Sequence, residues 1–335
     1  MKPLLRAGYN LLSHPFAAKV SDALLMARYK AIASKASHGQ LTEQKPNTDA
    51  PKITVVVPVY NVERYLALCL QSLVAQKYPN LAVIAVNDGS TDGSLKVAQS
   101  FAGQLNLTIV DQANAGLGAA RNAGVRAIAA TDYLMFLDSD DALTPNALHE
   151  LAAQATKTNS DFVVGDVLRI KGLTRIKRVD TRQVFAKGTL SRTTLAQHPA
   201  AIQDVTAWNR LFKFSFWQHH EFEFPTGVFF EDMTLMTRAY LVSNSFDILA
   251  KPVYLWRVRT EGAKSITQQT NDTQKLADRL LSLRQIKVLL ESGLPSGRTN
   301  QANVDAFKAR VQKHDIKLYE NSVPGSAEQF AEFLG

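Results

Sequence analysis

The 335-residue chain has a single cysteine, Cys69, which excludes an internal disulfide and fits a reducing compartment. Cys69 falls in an apolar helical pattern, so it reads as a packing residue. No stretch reaches the roughly 18 consecutive apolar residues of a membrane-spanning helix, and no segment is expected to cross a bilayer. The first 35 residues mix basic residues with apolar clusters but lack the continuous apolar region and cleavage site of a secretory signal. An interfacial amphipathic helix over 17–34, giving peripheral membrane contact, stays open there, beside a helix packed on its own domain. Internal repeats and low-complexity tracts are absent, which sets repeat architectures aside. The first strand-to-helix turn, Pro58-Val59-Tyr60-Asn61, has neither the Gly-x-Gly-x-x-Gly of a dinucleotide-binding turn nor the Gly-Lys-Ser/Thr of a phosphate loop. A phosphate ligand would need some other grip.

What the chain does have is an excess of positive charge, formally +8, which suggests an anionic partner: a nucleotide, a phosphate-bearing polymer or an anionic lipid surface. It also has the run YLMFLDSDD at 133–141. Tyr133–Leu137 suits a strand buried on both faces. Asp138, Asp140 and Asp141 follow at once, and such a cluster repels itself unless a cation or a set of donors sits among the acids. Hard carboxylate oxygens favour Mn²⁺ or Mg²⁺, which would bridge in turn to phosphate. Acids at the carboxyl edge of a parallel sheet stand where an open α/β fold keeps its ligand. Ala142 at the third ligand position sets an EF-hand loop aside, whereas a phosphohydrolase using Asp-x-Asp stays in competition. So does a plain polar loop before a helix capped at Thr144-Pro145, with Asp141 assisting that turn.

Around this run, apolar strands at 53–57, 81–86, 107–110 and 133–137 alternate with helical patterns at 63–76, 95–101 and 119–130. That alternation describes a parallel, three-layer α/β sheet. Residues 36–51 read as a linker.

Four segments, TVVVPVYN, VNDGSTDGS, NAGLGAARNAG and FLDSDD, resemble in order and spacing the family-2 glycosyltransferases with a GT-A fold, strongly over residues 52–150. The resemblance implies inverting transfer of a sugar from a nucleotide-sugar donor, usually a UDP-sugar, with Mn²⁺ or Mg²⁺. It implies a GT-A-like sandwich around a mostly parallel sheet, with a catalytic domain at 51–270 (51–150 on the nucleotide-sugar side, 151–270 on the acceptor side). A helical extension and linker at 1–50 and a helical segment at 271–335 flank it. In this frame Tyr60 stacks on a base beside Pro58, Asp88 accepts from a uracil N–H and Glu63 closes the base pocket. Arg121 supplies donors on the nucleotide side, and Gly116 and Gly118 let backbone approach. Asp138, with Ser139 beside it, binds ribose or assists the metal, and Asp140 is the direct metal ligand. Each residue also has a bland reading: Asp88 as a turn former, Arg121 as a surface charge, Tyr60 packed on the sheet edge.

The second half carries three further pieces. Asp161–Lys187 holds two alternating runs around Lys171-Gly172, a hairpin whose basic residues (Arg175, Lys177, Arg178) border an acceptor cleft or are simply solvated. Trp208-Asn209-Arg210-Leu211 and Glu231-Asp232 resemble the family's Trp-Asn-Lys-Leu segment and acid pair, with Arg210 in place of lysine. That implies Asp232 as general base and Glu231, Trp208 and Asn209 on the acceptor side; the same acids also suit a helix N-terminus, since MTLMTRAYLV follows with helical spacing. Tyr254–Arg259 resembles the family's closing segment, so Arg257 and Arg259 would face the donor diphosphate. Residues 273–320 read as helices with one leucine-rich face. The partners implied are a UDP-sugar and an anionic or lipid-linked saccharide or polymer, not nucleic acid, in bacterial envelope-polymer synthesis at the inner face of the cell membrane. A non-catalytic nucleotide-sugar-binding or scaffold module is the alternative.

Overall fold

In the computed structural model the described residues are 49–171, 174–176, 181–259, 265, 268–269, 271–293 and 297–334. The amphipathic stretch at 17–34, most of the linker, the side chains of Arg175, Lys177 and Arg178, and Gly172, Gly262, Ile266 and Pro295 lie outside them. Strand β1 (Ile53–Val59) leads to helix α1 (Glu63–Val74), and β2 (Leu81–Asp88) to α2 (Ser94–Gln99). Then β3 (Leu107–Gln112), α3 (Leu117–Arg126) and β4 (Tyr133–Phe136) complete the alternating part. The second half contributes β5 (Ala142–Leu143), α4 (Ala147–Thr158), β6 (Phe162–Lys171), β7 (Thr174–Ile176), β8 (Leu190–Thr193) and β9 (Arg210–Lys213). Helices α5 (Phe214–His219) and α6 (Glu231–Val242) precede β10 (Phe246–Val258). The chain closes with α7 (Thr273–Ser292), α8 (Gln301–Arg310), a π-helical turn at Val311–Asp315, α9 (Ile316–Tyr319) and α10 (Ser326–Leu334).

The described strands form one ten-stranded sheet in the order β3-β2-β1-β4-β9-β6-β10-β5, with β7 on β6 and β8 on β10. The long pairings, β1 with β2 and β4, β2 with β3, and β6 with β10, are parallel. The antiparallel ones are short. Side chains alternate along β1 as the pleat requires: Val55 and Val57 pack with α1 and α4 on one face, and Val56 packs with α3, α6 and the C-terminal helices on the other. The result is three layers. Gly124 lets α3 lie close on β1, because a Cβ there would stand 2.3 Å from Val56 Cγ1.

Two local expectations are corrected. Pro58 does not end β1; it lies within the strand opposite Val86, near the end, where a missing N–H is tolerated. Thr144 does not cap a helix. Its hydroxyl donates to the Pro252 carbonyl at 2.7 Å and its N–H to that of Val253, because Ala142–Leu143 is drawn into the sheet against β10. Helix α4 starts only after Asn146, in left-handed backbone at φ 62°. Cys69 is fully buried in α1, as expected.

Candidate active site

The carboxyl ends of β1, β2 and β4 bring the first group of predicted residues to one rim. Tyr60 projects beyond β1 and is 50% exposed, a large aromatic ring left open to a ligand. Asn61, in left-handed backbone at φ 50°, receives the Thr91 N–H at 2.8 Å on its side-chain carbonyl. The Glu63 carboxylate receives the Gly93 N–H at 2.8 Å, so Glu63 closes the NDGSTDG turn. Asp88 is buried and receives Ala115 N–H at 2.8 Å, Gly116 N–H at 2.9 Å and the Gln112 amide at 2.7 Å. It therefore shapes the NAGLG loop, with one of a carboxylate's roughly four acceptor positions left for a ligand donor.

After β4 the three acids take different partners. Asp141 is buried, receiving the Tyr254 hydroxyl at 2.9 Å and the Arg257 N–H at 2.7 Å. Burial first, then Asp140 and Asp138, push its carboxyl well above the usual range. The same Tyr254 hydroxyl accepts the Asp138 N–H at 3.1 Å, so one phenol spans the acid loop. Trp208 stacks on the Tyr254 ring, with centroids 4.3 Å apart, and thereby braces the loop from below. Asp140 receives Arg259 Nε at 2.7 Å on its carboxylate and Arg257 Nε at 2.7 Å on its carbonyl. Both guanidinium groups lie over the Tyr65 ring, 5.5 Å and 5.3 Å from its centroid. Arg257 Nη2 is buried without a hydrogen-bond partner, a donor that an anionic ligand would satisfy. Ser139 is buried between the acids.

The residue donors suit a divalent cation shared with a substrate. Asp138 and Asp140 each spend one contact on a guanidinium, and their side chains stay 24% and 14% exposed. Burial and the neighbouring Asp138 raise the Asp140 pKa against the pull of Arg259, a strain that a cation would relieve. No group of three or more His, Cys, Asp or Glu residues is arranged to hold a metal among the described residues. Two carboxylates completed by phosphate oxygens and water match the way Mg²⁺ is commonly held.

Arg121 departs most from its predicted place. It is 1% exposed and bridges two acids, Asp138 at 2.7 Å through Nη2 and Glu231 through Nη1. Its face lies over Phe224, 5.2 Å from the ring centroid. Rather than opening onto a nucleotide pocket, it joins the acid loop after β4 to the acid pair that opens α6. The rest of the ARNAG helix supports the same junction. The Asn122 side chain exchanges two hydrogen bonds with the Phe224 backbone, at 2.8 and 2.9 Å, and a Cβ on Gly118 would stand 2.3 Å from the Pro225 carbonyl oxygen. Asp232 is half-buried and receives the Ala207 N–H at 3.3 Å. Burial raises its pKa, Arg121 opposes that, and Asp138 adds to it. Glu231 and Asp232 also occupy the first turn of α6, so they complement its dipole as well as forming the site.

Asn209 lies elsewhere. It is wholly buried, and its amide donates to Gly165 O at 2.9 Å and Asp204 at 2.8 Å. Arg210, the family's lysine position, is also fully buried and bonded to Thr206 O at 2.6 Å. Both fasten the turn that carries Trp208 and Ala207 under the site. The residues missed from sequence are Tyr254, Tyr65 and Asn122. Tyr254 and Asn122 stand inside the quoted segments with no role given to them, and Tyr65 reads only as an apolar position of the helical pattern at 63–76.

A family model described as glycosyl transferase family 2 matches residues 54–220. The chain belongs to this family. The family-2 chain is 31% identical over 290 residues to glycosyltransferase GlyA of Streptococcus pneumoniae, covering 77% of this chain and 40% of that protein. It is 27% identical over 216 residues to the poly(ribitol-phosphate) beta-N-acetylglucosaminyltransferase TarS of Staphylococcus aureus, covering 63% of this chain and 36% of TarS. It thus spans well under half the length of these two relatives. In three dimensions it matches a crystal structure of S. aureus TarS in complex with UDP-GlcNAc at a TM-score of 0.68 and 22% identity, over 84% of this chain and 80% of that one. The fold of this family-2 chain is therefore GT-A. No described helix is long and apolar enough to cross a membrane.

Proposed function

We propose that this glycosyltransferase moves a sugar, with inversion, from a UDP-sugar to a hydroxyl of a phosphate-bearing or lipid-linked envelope polymer. The observation that carries the reading is the Arg121 bridge, which sets the acid loop after β4 and the acid pair of α6 around one guanidinium. The TarS relatives act on poly(ribitol-phosphate) or were crystallised with UDP-GlcNAc, by their descriptions, and this supports the donor and acceptor classes.

In the proposed reaction the acceptor oxygen bonds to the anomeric carbon as the bond from that carbon to the diphosphate oxygen breaks. The hydroxyl proton passes to Asp232, whose burial-raised pKa brings it closer to working pH, where a general base is most effective. Tyr60 and Asp88 bind the base, and Arg257 and Arg259 orient the diphosphate. A Mn²⁺ or Mg²⁺ held by Asp138 and Asp140 would supply Lewis-acid neutralisation of the departing UDP. Arg121 keeps Asp138 and Glu231 apart in charge and fixed in place.

The test is UDP release from UDP-GlcNAc and UDP-glucose, with and without poly(ribitol phosphate), comparing wild type with Asp232→Asn. The variant should lose at least about 10²-fold in turnover while its UDP affinity, read by calorimetry, stays the same. Full activity in Asp232→Asn sinks the assignment of the base.

A further inference from the structure

Helix α7 buries more than its leucine face. Lys275, Asp278 and Arg279 are charged yet buried, and all three reach the turn Phe229–Phe230 that immediately precedes Glu231 and Asp232. The Asp278 carboxylate receives the Phe229 N–H at 2.9 Å, and its other oxygen receives the Gln274 amide at 2.8 Å. The Lys275 ammonium lies 4.7 Å from the Phe229 ring centroid, and the Arg279 guanidinium 4.6 Å from that of Phe230. Arg279 is itself fixed by Asp315, a fully buried acid of the π-helical turn, through Nε at 2.7 Å.

The turn needs such support. Phe230 has φ 61°, left-handed backbone that a bulky aromatic residue rarely adopts and that persists only when its surroundings impose it. On the other side the segment leading into the turn already rests on α3, through Asn122 and the Gly118 contact with Pro225. Helix α7 supplies the second jaw. The Arg279–Asp315 pair would be complete inside the C-terminal segment without Phe230. The bond from Phe229 to Asp278 and the stacked guanidinium tie that segment to the turn before the acid pair, and Thr234, donating its hydroxyl to Gln285 at 3.0 Å, ties it to α6 itself. Arg279 also acts on Asp232 directly, its charge holding that carboxyl down.

We propose that Asp278 and Arg279 are positioning residues: they lock the Phe229–Phe230 turn in its left-handed form and thereby aim the Asp232 carboxylate at the acceptor. The role of Asp232 rests on the function proposed above; the grip of α7 on the turn does not. On this reading the C-terminal helices are part of the acceptor side rather than an appendage.

The experiment compares the full chain with Asp278→Ala and Asp278→Asn, the latter keeping an oxygen that can accept from Phe229. Amide hydrogen exchange needs no substrate. In Asp278→Ala it should accelerate about tenfold or more at residues 229–232, leave α8 and α10 unchanged, and return close to wild type in Asp278→Asn. With UDP-GlcNAc and poly(ribitol phosphate), kcat should fall about 10- to 100-fold in Asp278→Ala, with the donor KM within about twofold. Unchanged exchange at 229–232, or acceleration spread evenly through α7–α10, overturns the proposal, as does an unaltered kcat. A wild-type chain that releases no UDP refutes the functional reading instead, and the exchange result still decides the role of α7. Should Asp278→Ala not fold, Asp278→Ser is read in the same way.

Discussion

Glu231 is the most informative residue to neutralise. Its carboxyl opens α6 in a buried position against Arg121. Burial pushes its pKa from 4.5 up to about 7, with Arg121 pulling down and Asp232 pushing up. An unfolded chain releases this proton near 4.5 and the folded chain near 7. Between those values the folded state binds more protons than the unfolded one, so the stability of the wild type falls as pH rises through the window. A separation of about 2.5 in pKa corresponds to about 3 kcal/mol. Glu231→Gln keeps the shape and has no proton to lose, so it escapes that loss. Compared with wild type it should therefore gain about 3 kcal/mol between pH 4 and pH 8. At roughly 2.1 cal/mol/K of unfolding entropy per residue, a chain of 335 residues turns this into about 4 °C in Tm. Differential scanning of both proteins across that range, without metal or nucleotide, reads it directly. A Tm difference that does not move with pH, or moves the other way, would show that Arg121 keeps Glu231 ionised, and the reasoning about burial would be wrong.

Three further perturbations probe the rim. Tyr60→Ala should weaken UDP binding by about 1 kcal/mol, roughly fivefold, through lost stacking; equal affinity by calorimetry removes Tyr60 from the base pocket. Gly118→Ala forces a Cβ against the Pro225 carbonyl oxygen, 2.3 Å away before relaxation. It should cost about 1–3 kcal/mol in thermal denaturation, and an unchanged Tm refutes the close approach. Arg259→Gln takes the guanidinium off Asp140 and should tighten Mn²⁺ binding about tenfold when no nucleotide is present. Weaker binding, followed by electron paramagnetic resonance, would mean that Arg259 assists the metal instead of competing with it.

Much of the nucleotide-side sheet was legible because its strands are buried on both faces. Val55, Val56 and Val57 read as strand from apolar character alone, and so did Leu134–Phe136. The acid loop was legible for a different reason, since clustered like charge is costly unless something compensates it. The compensating groups were not visible in the sequence. Arg121 meets Glu231 across 110 positions, and Tyr254 meets Asp141 across 113, separations over which no local period operates. Asn209 read as an acceptor-facing polar residue, yet it is spent on backbone and Asp204, because buried polar networks leave no hydrophobic pattern. Thr144-Pro145 has the chemistry of a helix start, and tertiary pairing with β10 overrode it. Likewise Lys275, Asp278 and Arg279 look like the wet side of a helix until the turn they grip is placed beside them.

The position of β9 has a consequence for how such a molecule comes into being. This strand sits between β4 and β6, pairing Tyr133 with Lys213 and Phe162 with Phe212. On a ribosome, β4 therefore emerges some 75 residues before the neighbour that seals its open side. Until then a flat apolar edge stays unpaired, the condition under which chains pair wrongly with one another. Truncations that end between β4 and β9 should accordingly precipitate before they bind donor.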